Sequence, residues 1–220
     1  MSTQTEEKFR LGASHTIGSY ILPGEIIDTI HRQADRKIKL TVAPCNEITK
    51  AIKEKRLDLG FIEFPVFDDS LVCREWMDDE LVVCSKKKLP NSLAKNDLNR
   101  CRLVSSERGS FSRAFIENFL EEQGLFYDDF DSISEIDNPT AIIQSIKWSK
   151  PNAPITAVAI VSKTAIEYEL KYNHLYESYI NNTPIVRKFY ILYREDSEYI
   201  DTIKNICKTL LSRNISTCIN

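Results

Sequence analysis

The chain has 220 residues, enough for one large domain or two small lobes that each bury a core. Its 42% hydrophobic and 28% charged residues are the balance of a folded globular chain, which excludes intrinsic disorder. The net charge of −3 leaves no basic stripe for a free-standing nucleic-acid binder, and the nearest candidate, the lysine run at 86–88, reads as a solvated loop.

Residues 8–13, KFRLGA, predict a short strand ending near a glycine. Ser14-His15-Thr16 follows, then a helical pattern with Ile17, Tyr20, Ile21, Ile26, Ile27 and Ile30 on one side, in which Pro23 predicts a kink or a first turn. Residues 37–42, KIKLTV, alternate with period two, as a half-buried strand does. Asn46 is placed to cap a second helix with Ile48 and Ile52 on its apolar face, and 57–64, LDLGFIEF, reads as a buried strand. This alternation is the grammar of a parallel sheet with helical crossovers.

The second stretch repeats it. Strands are predicted at 80–85 and 101–105, then a helix carrying Phe111, Phe115, Ile116, Phe119 and Leu120, closed by Gly124. A short strand at 132–136 precedes Asn138-Pro139, an N-cap with proline at the first helical position, and a helix to about Trp148. Residues 156–161, TAVAIV, form a buried strand, and Ser162 caps the next helix. A strand at 187–193 and a terminal amphipathic helix at 197–211 complete the pattern.

No run of about 18 apolar residues suits a membrane helix, and the polar start lacks the apolar core of a secretory signal. Six cysteines, Cys45, Cys73, Cys84, Cys101, Cys207 and Cys218, fall without a CxxC pair and read as free thiols of a cytoplasmic protein. His15, His31 and His174 have no metal-ligand spacing, so no metal and no cofactor is expected. No nucleophile–base arrangement or phosphate loop is visible, and Ser14-His15 is no catalytic pair, because neighbours on an extended strand point to opposite faces. An enzyme is not expected.

Three strand ends carry small polar residues just before a helix: Ser14 and Thr16, Ser110 and Ser112, Asn138 and Thr140. Parallel sheets place such junctions at the C-terminal edge, where open α/β folds bind ligands, and helix starts favour anions or polar acceptors. Plain N-capping accounts for each hydroxyl taken singly. Their recurrence in both halves favours a shared ligand in a cleft between two lobes.

The segment 9–20, FRLGASHTIGSY, resembles the opening of the substrate-binding domain of LysR-type transcriptional regulators. Residues 57–63, LDLGFIE, resemble the family's leucine-aspartate-leucine-glycine-isoleucine strand, and 79–84, DELVVC, its passage into the second lobe. SERGSFSR at 106–113 is similar to its glycine-serine-x-x-arginine turn; SEIDNPTAI at 134–142 and the strand at 189–193 also match in order. The likeness covers roughly residues 8–210. It departs at 148–154, WSKPNAP, where the family has a glycine-rich turn.

The resemblance implies an α/β fold of two Rossmann-like lobes joined by two crossover strands, the type-2 periplasmic-binding-protein fold. Lobe I would be 8–83 plus 190–220 and lobe II 84–189, with 1–7 a linker stub or fragment start. It implies a small polar or anionic effector contacted by Ser14, Thr16, Ser110, Ser112 and Thr140, flanked by His15, Ile17, Glu63 and Phe64. Arg113 has two readings, a partner for a ligand carboxylate or sulfate and a surface arginine of a first helical turn. Glu63 likewise would meet a ligand amine or an arginine. DNA would be reached only through a winged helix-turn-helix missing from this chain, in a homodimer or homotetramer with no membrane partner. A helix carrying Ile26, Ile27 and Ile30 is a candidate dimer face, although each isoleucine also suits a core. A transporter's solute-binding protein shares the fold and is the alternative; oxidised, paired thiols would favour it.

Overall fold

The structure, a computed structural model, describes residues 8–217; the leading 1–7 and Cys218 lie outside the described residues. The chain forms two units, one of residues 1–78 and 188–220 and the other of 79–187.

In the first unit, β1 (Lys8–Ala13) turns Phe9, Leu11 and Ala13 into one core and leaves Gly12 on the opposite face. Of the two places expected for Pro23, a kink and a first turn, it takes the second, just before the start of α1. Residues 15–21 coil in a wide turn, in which the Leu22 N–H reaches back five residues to the Ile17 carbonyl at 2.9 Å. Pro23 supplies no N–H, and Gly24, at φ 90°, resets the chain before α1 (Glu25–Ala34). β2 (Lys37–Val42) pairs in parallel with the whole of β1. α2 (Cys45–Lys53) starts one residue before Asn46, which lies inside the helix rather than capping it, its side chain accepting from the Glu47 N–H. β3 (Leu59–Ile62) lies parallel to β1 on the other side. A longer strand than expected, β4 (Val72–Ser85), then runs on into the second unit.

The second unit continues with β5 (Ser92–Leu93), α3 (Lys95–Leu98), β6 (Cys101–Ser105), α4 (Phe111–Glu122), β7 (Ser132–Glu135), α5 (Pro139–Lys147) and β8 (Thr156–Ser162). α6 (Glu167–Lys171) and β9 (Tyr176–Ile180) follow, β10 (Ile185–Tyr193) returns to the first unit, and α7 (Ile200–Thr217) ends the described chain. β8, β6 and β7 are mutually parallel, while β4 runs antiparallel to both β8 and β9.

Cores form on both faces of the first unit's sheet. Phe189, Ile191 and Tyr193 of β10 join Phe9, Leu11 and Ala13 beneath Ile30 of α1 and Ile203, Ile206 and Leu210 of α7. On the other face Ile62 and Leu192 meet Ile48, Ala51 and Ile52 of α2. Each fully buried Ile, Leu or Phe contributes about 1.5–3 kcal/mol. α2 approaches closely because Gly12 lacks a side chain: a Cβ there would collide with Leu57 Cδ1 and lie 3.0 Å from Ile48 Cδ1. In the second unit every residue of β8 is buried, as expected of a strand covered on both faces. α4 contributes Ile116 and Leu120 to one core, and α5 buries Ile142, Ile143 and Ile146 against β8 and β6.

The first and last residues of the second unit are paired. Asp79 of β4 accepts from Arg187 Nε of β10 at 2.8 Å and from Ser162 Oγ at 2.6 Å, all three buried.

Candidate functional site

In the first unit, β1 and β3 are parallel neighbours with Ala13 opposite Phe61, so the residues following them emerge side by side. The Ser14 N–H donates to the Phe61 carbonyl at 2.9 Å, extending the ladder by one bond. Its Oγ donates to Glu63 Oε1 at 2.7 Å, and both residues are buried. The strand pairing therefore creates a hydroxyl–carboxylate contact from residues 49 apart in sequence. Thr16 is buried in the following turn, while His15 and Phe64 are half-buried. Ile17 is wholly buried in the core and anchors that turn from below.

In the second unit, α4 and α5 start from the ends of the parallel neighbours β6 and β7. Ser110 is the N-cap of α4, accepting from the Arg113 N–H at 3.2 Å and donating to the Glu107 carbonyl at 2.9 Å. Ser112 stands half-buried in the first turn. Asn138 caps α5 through the Ala141 N–H at 3.1 Å, with Pro139 first in the helix and Thr140, half-buried, second. Both helices thus begin with capped first turns whose remaining amides suit an acceptor-bearing ligand.

Arg113 is not on the surface. It is 2% exposed, and its guanidinium carbon lies 3.5 Å from the centre of the Tyr127 ring. Nε pairs with Glu117 at 2.6 Å, and Nη1 meets the Ser106 carbonyl at 3.3 Å and Glu135 at 3.5 Å. Tyr127 in turn shares a hydrogen bond of 3.0 Å with Ser105, and burial raises its phenol pKa above the ordinary value. Arg113 therefore ties the first turn of α4 to the ends of β6 and β7. Glu117, at i+4, was discoverable from helical spacing; Glu135 and Tyr127 carried no sequence signal.

Two cavities belong to the first unit. One of about 270 Å³ is lined by ion-paired residues including Arg10, Asp58, Arg194 and Asp196. The other, about 1060 Å³, is lined by residues 65–71 with Cys73, Glu75 and Tyr190. Neither is lined by a residue predicted to contact ligand.

Among the described residues no group of His, Cys, Asp and Glu could hold a metal ion, and no helix is long and apolar enough to cross a membrane. Among the described residues Cys73, Cys84, Cys101 and Cys207 are free thiols. Burial pushes the Cys84 thiol up to about 12, and those of Cys101 and Cys207 up to about 11. These three are protonated near neutrality and are weak nucleophiles.

The family model of the LysR substrate binding domain matches residues 2–213. The chain belongs to this family. It is 29% identical over 173 residues to the HTH-type transcriptional regulator YeiE of Escherichia coli K12, covering 76% of the chain and 55% of YeiE. The chain thus spans about half of that relative's length. Full-length BenM superposes over 100% of the chain and 71% of its own, with TM-score 0.74 and 16% identity. The CcmR regulatory domain of Synechocystis PCC6803, solved in complex with 2-PG, covers 94% and 97% with TM-score 0.73 and 18% identity. The LysR substrate-binding fold, a periplasmic-binding-protein type-2 arrangement, is therefore that of this chain. The match to regulators sets aside a transporter's solute-binding protein.

Proposed function

We propose that this LysR substrate-binding domain senses a small polar or anionic metabolite and relays its binding to DNA-binding domains outside the chain. The supporting observation is the buried Ser14–Glu63 contact at the C-terminal ends of parallel strands, where α/β folds place ligands. Ser14 and Thr16 supply hydroxyls in the first unit; Ser112 and Thr140, with the N-terminal amides of α4 and α5, supply donors in the second. His15, Glu63, Phe64 and Ser110 border these groups, and Ile17 and Arg113 hold them in place. The Ser14 hydroxyl already donates to Glu63, so a ligand's anionic group belongs with the amides of the α4 and α5 termini. No covalent chemistry is required: an effector shifts the conformational population by its differential affinity. The relay runs through a homodimer or homotetramer in the cytoplasm. The exposed edge of β2 and the partly buried Ile26 and Ile27 of α1 support a self-association face there.

Thermal unfolding against small anions and amino-acid-related metabolites tests this. A true effector at about 100 times its Kd adds roughly 2.7 kcal/mol. Thr16→Val and Ser112→Ala should each abolish most of that gain. Ser110→Ala is a poorer probe, because losing its cap alone costs about 1 kcal/mol. A hit insensitive to both substitutions would remove the strand ends from the site.

A further inference from the structure

The second unit carries aromatic side chains that its core leaves out. Tyr168 of α6 and Tyr172, which caps its end, are 61% and 52% exposed. The tyrosines lie four apart on one helix face with ring centroids 4.5 Å apart, and His174 closes the cluster at 6.2 and 6.3 Å. Asn173, at φ 55°, turns the chain so that His174 meets the rings. Single exposed aromatics are normal on protein surfaces; three in mutual contact, set by a fixed turn, form a pre-organised patch.

Its rim is cationic. Lys171 Nζ lies 5.9 Å from the Tyr172 ring centre. Lys86 Nζ donates to the His174 carbonyl at 3.0 Å, bringing the first of three consecutive lysines to the patch. Against these stand the exposed Glu167 and the half-buried Glu169, already paired with Lys147 at 3.0 Å. With Glu169 matched by Lys147, Lys86 and Lys171 outnumber Glu167 and leave the rim net positive.

We propose that this aromatic, lysine-rimmed surface docks an acidic segment of a partner protein. Tyrosine is among the side chains that anchor protein interfaces, and a lysine rim selects carboxylates by charge complementarity. Nucleic acid would be drawn by the same lysines, but Tyr168 and Tyr172 crowd one another at 4.5 Å and offer no open platform for a base.

A random dodecapeptide library displayed on phage, panned against the 220-residue chain, provides the test. The selected peptides should be rich in Asp and Glu around a leucine or aromatic. Synthetic copies should bind Tyr168→Ser/Tyr172→Ser at least roughly 10-fold more weakly, with the variant melting at the parent's temperature. No enrichment, enrichment without acidic bias, or equal binding to the variant overturns the proposal. So does saturable binding of a labelled thymidine oligonucleotide in place of the peptides, which would assign the surface to nucleic acid.

Discussion

Arg113 is a buried cation held by Glu117, Glu135 and the Tyr127 ring, and its task is to position α4. Arg113→Met should cost about 2–4 kcal/mol in urea unfolding, because it strips two carboxylates of a partner and uncovers the ring. Arg113→Lys should recover little of this, since an ammonium cannot stack flat and bond two acids in one plane. Equal stability of parent and Met variant would contradict the positioning role. Cys84 makes a prediction in pH. Its folded thiol titrates near 12 against 9.0 for the ordinary group, so the folded state favours the neutral form. That contribution is complete below about pH 9 and is lost as pH rises toward 12. Cys84→Ala should therefore flatten the alkaline decline in stability; an unchanged slope would count against the thiol as its source.

Elements with clean periodicity were legible: KIKLTV alternates and TAVAIV is continuously apolar, and both are strands. The first half of β4, VCREWMDD, was missed because its charges break any pattern. β9, YESYI, hid for the same reason, and its place beside β4 is a tertiary outcome. That Pro23 marks a kink or a helix start was legible from its missing donor, but the wide turn before it depends on burying Ile17. Of the candidate site, the hydroxyls before helices could be read from sequence. The Ser14–Glu63 contact could not, because it needs the β1–β3 register. Packing of α2 on that sheet yields a further test. Gly12→Ala puts a methyl against Leu57 and Ile48 and should destabilise by about 1–3 kcal/mol in thermal unfolding. A neutral result would mean that α2 shifts freely.

At the scale of the whole molecule, the chain passes from one unit to the other along β4 and returns along β10. The Asp79–Arg187 pair joins those strands where the second unit begins and ends. Asp79→Asn should cost about 3–5 kcal/mol by leaving a buried guanidinium without its counter-charge, whereas Asp79→Met/Arg187→Met should recover much of the loss. The central claim, that strand-end residues hold the effector, is tested most directly by amide NMR of the labelled chain titrated with the compound giving the largest thermal shift. The predicted result is saturable movement of the 14–17, 63–64, 110–113 and 140 amides at one common Kd. Movement confined to other amides, with these unmoved at saturation, would contradict the account.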